Sequence, residues 1–246
     1  MDRLVYTSMS GAKQVMLQQA SNNHNLANVS TAGFRADLDA FRSLYLQGPG
    51  YGSRVFSEEQ RAGVDFSSGR VQHTGRDLDI AISGNGYIAV QTADGQEAYT
   101  RSGDLRINAG GLLETGAGHL VLGDGGPVAV PPFEKLEIGS DGSLSLQPLG
   151  QSVATLAIVG RLKLVNPDES RLVKRSDGLL VTRDGQSQLA DASIRIAAGS
   201  LEASNVNAVD ALVNMITLSR QFEMNIKMME QAQENDQASA SVMRLS

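Results

Sequence analysis

The sequence contains no cysteine and no tryptophan, only three histidines, and 4% aromatic residues. Without thiols there can be no disulfide, thiolate zinc site, iron–sulfur cluster or cysteine nucleophile. His24, His73 and His119 are too scattered for an imidazole-built metal site with local ligand spacing. A basic excess is missing as well: the formal net charge is -6, which argues against nucleic acid as a partner. No apolar run approaches the roughly 20 residues of a membrane span, so direct membrane insertion is not expected. The opening Met1-Asp2-Arg3-Leu4-Val5-Tyr6-Thr7-Ser8 lacks a continuous apolar core, so a cleaved secretion leader is not expected either.

Glycine, proline and methionine are distributed unevenly over the 246 residues. Of 26 glycines, 24 lie between Gly48 and Gly199, and all six prolines lie between Pro49 and Pro167. The eight methionines fall only before Gly33 or after Gly199. Helices exclude glycine and proline, so the two ends are free to be helical and the middle is not. Near the start, Val5, Met9, Ala12, Met16 and Ala20 recur at helical spacing; near the end Leu212, Met215, Leu218, Phe222, Ile226 and Met229 do the same. No breaker interrupts Leu201 to Leu245, which allows a helix of about 40 residues and roughly 60 Å. Such a helix is longer than one small domain can cover, so its apolar stripe predicts self-assembly through the chain ends. Methionine, flexible and polarizable, suits surfaces that must fit several neighbours.

The middle reads as β structure. Five Asp-Gly steps and Asn85-Gly86 punctuate short apolar runs, the pattern of tight hairpins. Expected strands include 78–83, 87–91, 98–101, 120–122, 136–138, 156–165 and 179–182, with a hairpin turn at Asn85-Gly86. Residues 36–46 read as a short helix, and Gly48-Pro49-Gly50-Tyr51-Gly52 as a break followed by extended chain. Gly84-Asn85-Gly86-Tyr87-Ile88-Ala89 formally fits a dinucleotide-binding fingerprint, but that motif must open a helix and here precedes a strand. No cofactor is expected. Asp77 and Asp79, two apart, could share a strand face as an acid/base or metal pair, or simply line a solvated face. They are the first carboxylates to suspect if the chain is instead a secreted β-rich binding or hydrolytic protein.

Three blocks carry a family resemblance. Leu26-Ala27-Asn28-Val29-Ser30-Thr31-Ala32-Gly33-Phe34-Arg35 resembles the N-terminal signature of bacterial flagellar rod and hook proteins. Gly199-Ser200-Leu201-Glu202-Ala203-Ser204-Asn205-Val206-Asn207, with Ser219-Arg220-Gln221-Phe222-Glu223 further on, resembles their C-terminal signature. The stretch from Leu78 to Tyr87, then Tyr99-Thr100-Arg101-Ser102-Gly103, resembles their middle. The opening residues and Phe222 are most similar to the proximal rod branch, with the distal rod as rival. The resemblance implies a non-enzymatic axial subunit exported through the flagellar type III apparatus and polymerised in the periplasm. Its implied partners are other copies of itself, other rod proteins and the export apparatus, with no small-molecule substrate. It adds Leu26, Asn28, Gly33 and Phe34 to the assembly surface, and Phe41 and Tyr45 as a short export element.

The expected fold class is α+β. An assembly helix occupies 1–33, a short helix and extended linker 34–76, a β-rich domain 77–198, and a second assembly helix 199–246, the two helices pairing and packing in a helical polymer.

Overall fold

A computed structural model describes residues 4–45, 55–148 and 157–245. It is an α+β chain that divides into two compact units. The first takes Met1–Ala27, Asp37–Gly63 and Val206–Ser246; the second takes Asn28–Ala36 and Val64–Asn205.

In the first unit, helices α1 (Leu4–Ala27) and α2 (Ala208–Leu245) pack against each other. The Asn22 side chain donates to the Ala211 carbonyl at 2.8 Å, and Gly11 lies against Asn225, so the helices run antiparallel. The inward positions of α1 are Val5, Ser8, Ala12, Val15, Gln19, Asn22 and Leu26. Those of α2 are Ala211, Met215, Leu218, Phe222, Asn225, Met229 and Ala232. Both sets alternate steps of three and four, the 3.5-residue repeat of helices that wind left-handedly around one another. α2 begins at Ala208 rather than near residue 199. Asn207 caps it, its side chain accepting from Val209 N at 3.0 Å and its carbonyl from Ala211 N at 3.0 Å.

The short helix expected over residues 36–46 is absent: Asp37–Tyr45 forms strand β1, paired with β2 (Val55–Val64). The start of β1 is fixed from outside its own sequence. Asn25 accepts from Asp37 N at 2.8 Å and donates to Asp37 O at 3.0 Å, which fills the bonds a helical turn would need. The Gly48 to Gly52 break lies outside the described residues.

The second unit is built around strand Tyr87–Gln91, whose side chains are buried on both faces of a sheet. Ile88 and Val90 point into one apolar cluster with Ile80, Leu105, Leu113, Val121 and Leu144. Tyr87 and Ala89, on the opposite face, join a second cluster with Tyr99, Val165, Leu172 and Leu180. Among the described residues this sheet has nine strands, and its main path runs 172–174, 180–182, 97–100, 87–91, 120–123, 113–115, 105–107. A three-stranded sheet of 133–138, 143–148 and 157–161 stands beside it, and two strand pairs join 195–198 to 80–83 and 200–202 to 71–73.

Several expected strands are present with shifted ends. The run expected over 156–165 is two strands, Ala157–Arg161 and Leu164–Val165. Asp94-Gly95, Asp124-Gly125, Asp141-Gly142 and Asp177-Gly178 each join paired antiparallel neighbours. Asn85-Gly86 does not. Ile80–Ser83 pairs with Arg195–Ala198, whereas Tyr87–Gln91 pairs with Glu97–Thr100 and Leu120–Gly123, so this turn carries the chain between sheets. Glycine is still required: Gly86 has φ +132 and the Ile194 side chain occupies the space of a Cβ.

Candidate assembly site and buried junction

The residues expected at the assembly surface separate into two groups on the helix pair. Val5, Leu26, Met215, Leu218, Phe222, Ile226 and Met229 are half-buried, turned partly or wholly into the intramolecular seam. Met9, Met16 and Leu212 are exposed. The expected α1 stripe meets the seam at Val5 and Ala12 but leaves it at Met9, Met16 and Ala20, which are exposed, while Ser8 and Val15 are buried there in their place. Small residues let two helices approach closely, and at Gly11 the Asn225 side chain takes up the space beside the backbone.

α2 is apolar on its other face as well. Val209, Val213 and Ile216, at i, i+4 and i+7, are 68%, 56% and 56% exposed, and Met224 and Met228 continue the exposed surface. Hence α2 presents one apolar stripe to α1 and a second to the outside.

Asn28, Gly33 and Phe34 belong to a buried junction in the second unit. Asn28 opens the turn after α1, accepting from Thr31 N at 3.2 Å and from the Thr31 hydroxyl at 3.2 Å. Gly33 has φ +67, donates to Glu202 O at 2.7 Å, and lies so near the Arg101 carbonyl that any Cβ would overlap it. Phe34 is buried beneath Lys174, whose Nζ stands 3.8 Å from the ring centre and donates to Arg35 O at 2.7 Å.

The neighbours of these residues form an ionic cluster that sequence reading did not single out. Arg35, Arg101 and Glu202 are only 3%, 5% and 1% exposed. Glu202 Oε1 lies 2.7 Å from Arg35 Nη1 and accepts from Gly69 N at 2.8 Å; Glu202 Oε2 accepts from Arg101 Nη1 at 3.0 Å. Arg101 Nη2 donates to Gly84 O at 2.7 Å, and its guanidinium lies 5.2 Å from the centre of the Tyr87 ring. Burial pulls Arg101 below its ordinary pKa against the opposing pull of Glu202. Burial, aided by the nearby Glu169 carboxylate, pushes the Tyr87 hydroxyl up to about 12. Asn205 completes the junction: its carboxamide accepts from Ala36 N at 2.8 Å and donates to Asp65 O at 2.9 Å and Ser67 O at 3.1 Å. The available signal was position, since Arg35, Arg101, Glu202 and Asn205 all lie inside the three signature blocks.

Asp77 and Asp79 do not form a carboxylate pair on one strand face. Asp77 is exposed in a turn, whereas Asp79 is buried, accepting from the Thr74 hydroxyl at 2.7 Å and pairing with Arg76 at 2.7 Å. Phe41 and Tyr45 fall on β1, and their side chains lie outside the described residues. Among the described residues no cluster of three or more His, Asp or Glu could hold a metal, and no helix is long and apolar enough to cross a membrane.

Comparison with known proteins agrees with this geometry. The family model described as flagellar hook protein FlgE/F/G D1 domain matches residues 81–146, within the β-rich unit. The model described as flagellar basal body rod FlgEFG protein C-terminal matches residues 197–242, from the Glu202 strand through most of α2. The chain is 40% identical over 242 residues to the flagellar basal-body rod protein FlgF of Salmonella typhimurium, covering 96% of each chain. To FlgF of Escherichia coli it is 41% identical, again over 96% of each. Similarity to the flagellar basal-body rod protein FlgG of Bacillus subtilis is lower, 31% over 94% of this chain and 96% of that one. The three signature blocks, the paired terminal helices and this end-to-end similarity establish that the chain belongs to the flagellar basal-body rod protein family.

Proposed function

We propose that the protein is a structural subunit of the flagellar basal body that polymerises, with copies of itself and other rod proteins, into the proximal rod that transmits torque from motor to hook. The supporting observation is the second apolar stripe of α2. α1 covers one face, and Val209, Val213 and Ile216 remain exposed on the other, where neighbouring subunits would bury them. On this reading Met9, Met16 and Leu212 are intermolecular contacts, whereas Met215, Leu218, Phe222, Ile226 and Met229 act chiefly by holding the helix pair together. The rod lies in the periplasm, and the subunit reaches it through the type III export apparatus, with Phe41 and Tyr45 as the export element. The role is non-enzymatic.

The test is deletion of the gene followed by electron microscopy of isolated hook–basal bodies. Rods that stop short, with motility lost, are the expected result. Complementation with Ile216→Asp should leave rods short although the purified variant keeps wild-type helicity. Complete rods in the deletion strain would overturn the proposal.

A further inference from the structure

The Arg35, Arg101 and Glu202 cluster joins three distant chain segments, and its charges do not cancel. Two guanidiniums meet one carboxylate, all at least nine-tenths buried, and Glu202 lies 101 residues after Arg101. The nearby groups do not replace that carboxylate. Glu169 sits at the Tyr87 hydroxyl, 3.4 Å away, and Lys174 brings a further positive charge to the Arg35 carbonyl. Among the described residues, none of the three guanidinium nitrogens of Arg35 has a hydrogen-bond partner, so the ion pair of its Nη1 with Glu202 Oε1 at 2.7 Å is the contact that makes its burial tolerable.

We propose that Glu202 closes an ionic latch that makes docking of the N-terminal segment Asn28–Ala36 conditional on docking of the C-terminal strand Ser200–Glu202. Without Glu202 in place, Arg35 and Arg101 would share a buried site as like charges, and the N-terminal segment stays undocked. Backbone bonds reinforce the coupling, because Gly33 N donates to Glu202 O and Asn205 N to Phe34 O. In a chain made from its N-terminus, closure of the second unit therefore waits for residue 202. Both stems leading to α1 and α2 are fixed together or not at all. This inference rests on the junction alone and holds whatever the subunit assembles into.

Hydrogen exchange read by mass spectrometry on the full chain tests it. Glu202→Gln keeps the shape and the acceptor for Gly69 N but removes the charge. It should speed exchange across residues 28–36 and 69–73 by roughly a hundredfold, as expected when one partner of a buried pair is removed, while leaving 87–91 unchanged. Arg35→Met should also speed exchange in the wild-type background. In the Glu202→Gln background the same substitution should slow it, because it removes a buried like charge. Acceleration by Arg35→Met in both backgrounds, or uniform loss of protection through 87–91, would overturn the latch. Should Glu202→Gln fail to fold, the double variant decides: a recovered cooperative thermal transition supports the latch and continued failure refutes it.

Discussion

Asn25 meets the backbone of Asp37 with both ends of its carboxamide, accepting from N at 2.8 Å and donating to O at 3.0 Å. One side chain near the end of α1 thus occupies both backbone groups of the first residue of β1, while His24 Nδ1 lies 2.7 Å from the Asp37 carboxylate. Replacing Asn25 with alanine leaves both groups to find water and should cost about 1–3 kcal/mol. Thermal unfolding measures the cost. A loss equal to that of His24→Ala, which removes only a partly exposed contact, would count against this assignment.

Gly33 and Gly178 both have positive φ, +67 and +83, but only Gly33 is hemmed in by another segment. Gly178→Ala should cost about 1–2 kcal/mol from backbone strain alone. Gly33→Ala adds a collision with the Arg101 backbone and should cost clearly more, with the excess read directly from the two melting curves.

The two faces of α2 predict opposite behaviour. Phe222→Asp puts a charge into the seam with α1 and should destabilise the helix pair by about 2–4 kcal/mol, visible as lost helicity on mild heating. Val213→Asp lies on the outward stripe and should leave the melt of the isolated chain within about 0.5 kcal/mol of wild type. Its expected defect is failure to form rods, so equal melting losses for the two variants would contradict the assignment of faces.

Phe41→Ala should reduce export without changing the melting of the purified protein. Secretion assays on intact cells measure the first and calorimetry the second; unchanged export would remove the element.

Alkaline pH should unfold the second unit through its buried tyrosines. Tyr87 titrates at about 12 when folded against 10.0 ordinarily, and burial raises Tyr99 too. The unfolded chain therefore releases these protons first, so their contribution is complete below pH 10 and declines as pH rises through the folded values. Denaturant midpoints measured from pH 9 to 12 should fall, and Tyr87→Phe should flatten the decline.

Much of this architecture was legible in the sequence because it rests on local chemistry. Exclusion of glycine and proline from both ends located α1 and α2, and four Asp-Gly steps marked tight turns between paired strands, three of them through the positive φ of Gly95, Gly142 and Gly178, which glycine adopts without strain. Asn85-Gly86 carried the same local signal, yet it links two sheets. A turn's conformation is written locally, while its strands' partners are chosen by packing across the domain. β1 was misread as helix for a related reason, since the carboxamide that fixes Asp37 belongs to Asn25 on another element.

By itself the sequence determined the α+β class, helical ends, a β-rich middle and, through three signature blocks, the family. Tertiary structure alone decided which face of each helix is used internally and which remains outward, because large methionines and small Ser8 and Ala12 both satisfy helical periodicity. Only close packing distinguishes them. It alone also revealed why the signature blocks belong together: Arg35, Arg101 and Glu202 are far apart along the chain, and their charges acquire meaning only where folding removes the water between them.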